Sequence, residues 1–253
     1  MKNVYFVGAG PGATDLITVR GKQLLEKADL IIYAGSLVNA QLLAYAKASC
    51  HVENSAYLTL DEVIQRIKEA VERGFMVVRL HTGDPSLYGA IREQIDRLNA
   101  LGITWEICPG VSSFSAAAAA IGAEYTLPSV SQTVILTRAA GRTPVPDKES
   151  IASLASHQAT LVLFLSAALL TQVQTGLIRG GYRPETPAAI IYKASWPDQK
   201  IVHCTVQTLS EAAAADDIRK TALILVGNFL GEDYELSRLY AEDFDTEFRQ
   251  AKR

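Results

Sequence analysis

The sequence predicts an α/β protein of two domains, the first built on a mostly parallel sheet and the second on a mixed one. Three observations carry this. Apolar runs of strand length alternate with helical periodicity through the first half, the pattern of a parallel sheet covered on both faces. The first such run, Val4-Tyr5-Phe6-Val7, passes directly into Gly8-Ala9-Gly10-Pro11-Gly12, a strand-to-helix corner. In the second half, Ala188 to Tyr192 and Lys200 to Val206 are joined through Ser195-Trp196-Pro197-Asp198 as a hairpin with a long loop, which a purely parallel sheet does not contain. The domains are expected at residues 1–122 and 123–253.

Taken in order, the span from Gly12 to Lys27 reads as an amphipathic helix on Leu16, Val19, Leu24 and Leu25, and Leu30 to Tyr33 is a buried strand. A helix is expected over Val38 to Ala46 with Asn39 as its cap, and Cys50 to Asn54 reads as a weak segment. Thr59-Leu60-Asp61-Glu62 opens a helix that Gly74 ends. Phe75 to Leu80 is a strand, Ser86 to Leu101 a helix, and Ile103 to Ile107 a strand closed by Pro109-Gly110. The alanine-rich run Ser113 to Ile121 is helical by propensity. Beyond it come strands at Thr133 to Thr137, Thr160 to Leu165 and Thr221 to Val226, with helices at Leu169 to Ile178 and Thr208 to Ala215. Arg138 to Pro146 is a basic, proline-bearing loop, long for a plain connection.

Composition narrows the class. The chain has 253 residues, 49% of them hydrophobic and 20% charged, with a formal net charge of -3, which gives no footprint for nucleic acid. Its three cysteines, Cys50, Cys108 and Cys204, are far apart and lack metal-site spacing, so neither a disulfide framework nor a metal cage is expected. No apolar run is long enough to span a bilayer, and no leader is read at the start of the sequence. These features fit a protein of the reducing cytoplasm.

The glycine corner raises the question of its ligand. Gly8-x-Gly10-x-x-Ala13 fits a relaxed dinucleotide fingerprint, but Pro11 removes a donor from the turn and no acidic residue ends the second strand, where Ala34-Gly35-Ser36-Leu37 follow. Three later corners face the same question. Thr82-Gly83-Asp84-Pro85 follows a strand, so Asp84 is either a turn residue or an acceptor for a ribose or ammonium group. Ser112 and Ser113 stand at a helix start as caps or ligand contacts, and Leu165-Ser166-Ala167 ends a strand of the second half.

Together, Gly8-x-Gly10-Pro11-Gly12 with Asp15-Leu16-x-Thr18, Tyr33-x-Gly35-Ser36-Leu37, Gly83-Asp84-Pro85-x-x-Tyr88-Gly89 and Pro109-Gly110-Val111-Ser112 resemble the tetrapyrrole (corrin/porphyrin) methyltransferase family over nearly the whole chain. His81-Thr82-Gly83-Asp84, Leu136-Thr137-Arg138, Gly141 to Pro146, Ile191 to Pro197 and Ile218 to Ala222 resemble its precorrin-4 or cobalt-precorrin-4 C11-methylating branch. The resemblance implies two α/β domains with S-adenosylmethionine in a trough between them, usually in a homodimer. It implies Pro11, Gly83, Asp84, Leu87, Ser112, Ser113, Leu165, Ala194, Thr221 and Ala222 as methyl-donor contacts. Two departures stand out. The sister enzyme acting on uroporphyrinogen has Gly-Gly-Asp where this chain has Thr82-Gly83-Asp84, and Ala140 stands where an acidic residue is expected.

Methyl transfer from a sulfonium to an electron-rich ring carbon needs alignment more than a strong base, which suits a chain whose His51, His81, His157 and His203 are scattered. His81 and Asp84 are the candidate catalytic side chains. Arg79, Arg138, Arg142 and Lys193 are the candidate partners for the carboxylates of a macrocyclic substrate, and the Arg138 to Pro146 loop is expected to close over it.

Overall fold

The computed structural model describes residues 3–251 and divides them into two compact units. One runs through Ala117 and takes in Lys193–Gln199; the other comprises Ala118–Tyr192 and the chain from Lys200 on. A single cut at residue 122 misses the short excursion at Lys193–Gln199.

The first unit holds β1 (Val4–Gly8), α1 (Val19–Lys27), β2 (Leu30–Tyr33), β3 (His51–Asn54), α2 (Leu60–Glu72), β4 (Val77–His81), α3 (Arg92–Ala100) and β5 (Trp105–Cys108). Its five strands pair in the order β3-β2-β4-β1-β5, all parallel. Alternation on β1 serves both faces. Val4 and Phe6 pack with Val63, Ile64 and Ile67 of α2 and Ile95 and Leu98 of α3, while Tyr5 and Val7 pack with Leu25 of α1 and Leu42. Helix α2 begins with a complete capping box, in which the Thr59 hydroxyl accepts from the Glu62 amide and the Glu62 carboxylate accepts from the Thr59 amide.

Helix α4 (Ser113–Ala120) follows, and the second unit continues with β6 (Val134–Arg138), α5 (Ile151–Ala155), β7 (Thr160–Phe164), α6 (Leu170–Arg179), β8 (Pro187–Tyr192), β9 (Lys200–Thr205), α7 (Leu209–Ala215) and β10 (Ala222–Val226). The strand order is β6-β7-β10-β8-β9, with only β6 and β7 parallel. Ile151, Val173, Leu177, Leu209 and Ala213 of the three helices pack on Leu161, Leu163, Ile190 and Ile224 of the sheet.

Four expectations are corrected. The helix expected from Gly12 starts only at Val19, because Thr14–Leu16 forms a 3-10 turn and Ile17 and Thr18 are extended, and Leu16 and Val19 are exposed rather than on a buried face. Val38 to Ala46 forms a 3-10 helix over Ala40–Tyr45 rather than an α-helix, with Asn39 capping it as expected. Cys50 to Asn54 is a full edge strand whose outer residues are exposed, which explains its weak apolar signal. The helix expected from Ser86 starts only at Arg92, because Tyr88 and Ala90 take left-handed backbone angles (φ 58° and 49°) that no α-helix accommodates.

Leu163 is fully buried in β7 and sits in the middle of the second core. Leu163→Ala is expected to cost about 3 kcal/mol, read as a fall in the thermal or urea midpoint; a change of a few tenths would show that this core relaxes around the loss.

Candidate functional site

In the first unit the corners singled out by sequence lie at the carboxyl ends of β1, β4 and β5, where ligands bind in open parallel sheets. The loops are held together by backbone contact. The Ala9 amide donates to His81 O at 2.7 Å, and Gly10 and Gly83 form a reciprocal bridge, with N–H to O distances of 3.2 and 2.8 Å. Both glycines have positive φ, 79° and 60°. A Cβ at Gly8 would stand 2.5 Å from Gly110 Cα, and one at Gly110 would stand 2.2 Å from Gly83 O. Glycine is required here by neighbouring backbone.

Asp84 fastens two of these loops. Its Oδ2 accepts from the Gly110 amide at 2.8 Å, while Oδ1 accepts from the Ser86 amide at 2.8 Å and from the Ser86 hydroxyl. Burial raises its pKa, but these hydrogen bonds together outweigh burial and hold it below the usual aspartate range. A half-buried carboxylate that stays ionised is therefore fixed at the end of β4, with lone pairs left for a further donor.

The outer side of the glycine corner is covered by Lys193–Gln199. The Trp196 indole N–H donates to Pro11 O at 2.9 Å, and Ser195 Oγ accepts from the Ala13 amide at 3.0 Å. A Cβ at Gly12 would fall 2.0 Å from the indole ring. Asn39 holds the corner too, donating from Nδ2 to Gly12 O at 2.8 Å. With the amides of Ala9, Gly10 and Ala13 spent on protein acceptors and none on Pro11, the corner lacks the amide cradle that a pyrophosphate needs. The roles of Asn39 and Trp196 were not evident from sequence; the signal for Trp196 was a third glycine with a large aromatic far along the chain.

The expected donor contacts Pro11, Gly83, Asp84, Leu87, Ser112, Ser113 and Ala194 all fall in this first unit. Leu165, Thr221 and Ala222 fall in the second, at one end of its sheet: the register of β7 with β10 sets Leu163 opposite Ile224, so Leu165 and Ala222 lie level. Leu165 is 66% exposed, and both Leu165 and Thr221 adopt positive φ (51° and 55°). Both positions hold strained backbone without being glycine.

The candidate cations separate. Arg79 is 4% exposed, donates from Nε to Gln94 Oε1 and from Nη1 to Ile32 O, and is pushed down to about 10 by burial. It remains charged but is committed to the fold, which corrects its assignment to a substrate carboxylate. Arg138 turns on its own loop, donating to the carbonyls of Ala139, Thr143 and Pro144. Arg142 is exposed, and Lys193 pairs with Asp198 at 2.6 Å while lying 5.3 Å from the Trp196 ring centroid. No cluster of three His, Cys, Asp or Glu side chains suited to a metal occurs among the described residues.

His81 is 5% exposed beside Phe6, and its Nε2 is buried without a hydrogen-bond partner. Burial, and secondarily the charge of Arg79, push it down to about 3, so it is neutral at physiological pH. The unfolded chain takes up this proton near 6.5 and the folded chain only near 3, so stability falls as pH drops through that window, by about 1.4 kcal/mol per unit at most. His81→Leu is expected to flatten the dependence of the urea midpoint between pH 4 and 6.5. An unchanged slope would assign the acid sensitivity elsewhere.

The profile of the Tetrapyrrole (Corrin/Porphyrin) Methylases matches residues 3–210. The chain is 52% identical over 251 residues to a cobalt-precorrin-4 C(11)-methyltransferase of Methanocaldococcus jannaschii, covering 99% of this chain and 97% of that protein. A crystal structure of a cobalt precorrin-4 methyltransferase superposes with a TM-score of 0.89 at 48% identity, covering 90% of this chain and 96% of the other. The uroporphyrin-III C-methyltransferase of Thermus thermophilus, complexed with S-adenosylhomocysteine, gives 0.75 at 26% identity over 90% and 93% of the two chains. On a family profile covering most of its length and relatives this similar, the chain belongs to the tetrapyrrole (corrin/porphyrin) methylase family.

Proposed function

We propose that the protein transfers a methyl group from S-adenosylmethionine to C11 of cobalt-precorrin-4, a step of cobalamin biosynthesis. One observation of the geometry carries the choice of donor: at the glycine corner the amides of Ala9, Gly10 and Ala13 are committed internally, Pro11 offers none, and an ionised Asp84 stands beside it. That surrounding suits a cationic ligand with hydroxyl and ammonium donors and disfavours a diphosphate. The identity to cobalt-precorrin-4 C(11)-methyltransferases over nearly the full chain supports the acceptor.

The donor, when bound, supplies an activated methyl carbon and leaves as a neutral thioether. What the chain contributes is placement. In this reading Pro11, Gly83, Asp84, Leu87, Ser112, Ser113 and Ala194 hold the donor, and Leu165, Thr221 and Ala222 are added on resemblance. Arg138, Arg142 and Lys193 meet the acceptor's carboxylates. Alignment of two reactants supplies up to about 7–11 kcal/mol of barrier reduction without any side chain exchanging a proton. A cytoplasmic homodimer belongs to the same reading: the three cysteines are free, and among the described residues no helix is long and apolar enough to cross a membrane.

S-adenosylhomocysteine is expected to raise the thermal midpoint and NADH to leave it unchanged. Incubation with cobalt-loaded and metal-free precorrin-4 should add one methyl group, seen by mass spectrometry, to the cobalt form; methylation of the metal-free form alone would reassign the substrate. Arg142→Ala is expected to raise the KM for the macrocycle while leaving S-adenosylhomocysteine affinity nearly unchanged. Equal weakening of both would remove the proposed role of the Arg138 to Pro146 loop as a cover for the acceptor.

A further inference from the structure

We propose that Trp196 is a positioning residue for methyl transfer: it locks the glycine corner to the segment bearing Ala194, so the donor site is assembled from two stretches of chain remote in sequence. The inference rests on the donor reading above and extends it to a residue outside the expected donor contacts.

Three independent features place this lock. The indole N–H donates to Pro11 O at 2.9 Å, the neighbouring Ser195 Oγ accepts from the Ala13 amide at 3.0 Å, and the indole lies where a Gly12 side chain would be, with Cδ1 2.0 Å from the ideal Cβ position. Gly12 is not in the left-handed region, so its backbone angles do not demand glycine; the indole does. The segment is shaped for this contact. Lys193 and Ser195 carry positive φ, 47° and 70°, and the turn is closed by Trp196 N–H to Lys193 O and by Ser195 N–H to Gln199 Oε1 at 2.7 Å. Two strained residues in five turn the indole onto the corner, and between them lies buried Ala194. Without the indole, the segment bearing Ala194 keeps the Ser195–Ala13 hydrogen bond but loses its hold on Pro11 and Gly12.

The test is a mutant cycle on the full chain with S-adenosylhomocysteine as probe, read by calorimetric titration, together with steady-state KM values. Wild type should bind. Trp196→Ala should bind about tenfold more weakly, as expected when a directed hydrogen bond and its packing are lost, and should raise the KM for the methyl donor well above any change in the KM for the tetrapyrrole. Gly12→Ala should be as damaging alone, yet add nothing in the Trp196→Ala background, because the ring it collides with is gone. Trp196→Phe, which keeps an aromatic ring and loses the N–H, serves if the alanine variant does not fold, and should fall between the two. Unchanged affinity in the Trp196 variants, additive losses in the double variant, or parallel rises in both KM values would overturn the positioning role. Failure of wild type to bind the probe would instead overturn the donor reading itself.

Discussion

Three backbone segments meet at Gly8, Gly83 and Gly110 with less room between them than one methyl group needs, and the loops leaving β1, β4 and β5 take their courses from that contact. Parallel strands bring their carboxyl ends to one edge in any such sheet. Here the loops also touch main chain to main chain, so Gly10 and Gly83 exchange hydrogen bonds and Asp84 reaches the Gly110 amide. A knot built mostly of main chain results. Its consequence for chemistry is that the amides of Ala9, Gly10 and Ala13, of the kind offered to phosphate at a glycine corner, are engaged in building it and in holding it.

Within each unit, strain accumulates in loops where rigidity cannot come from regular structure. Tyr88, Ala90, Leu165, Lys193, Ser195 and Thr221 all hold positive φ without being glycine, each at a cost of roughly 1–3 kcal/mol. Each lies in a loop at the end of a strand or next to one. Ser195 shows how such a position is sustained: its N–H is taken by Gln199 and its hydroxyl by Ala13, so relaxing the backbone would forfeit two hydrogen bonds.

The sheets were legible because their strands are buried on both faces and read as unbroken apolar runs, as at Leu30-Ile31-Ile32 and Leu161-Val162-Leu163. Segments shaped by something other than burial were not. Strand β3 is an exposed edge, and the turn after Pro85 is set by Asp84 capping Ser86, which ends a pattern that periodicity alone extends into a helix. The glycine corner was visible as a site, while its partners Asn39 and Trp196 were not, since a hydrogen bond across 185 positions leaves no local signature. Arg79 misled for a related reason: within an apolar strand an arginine reads as a ligand for an anion, whereas it donates to Ile32 O and Gln94.

The pairing of Arg79 and His81 on one face of β4 completes the physical picture. Burial in an apolar interior is the main reason the imidazole is neutral, the charge of Arg79 two residues away adds to it, and the guanidinium, with the far higher intrinsic pKa, keeps its proton despite the same burial. The strand leading to Asp84 therefore ends in a neutral ring rather than a second cation, and a positively charged ligand approaching that corner meets a carboxylate with one buried cation already satisfied behind it. An acid–base machine would place its titrating group near neutrality. This interior moves His81 out of that range, so His81 is not poised for proton exchange at neutral pH, which a reaction governed by alignment does not require.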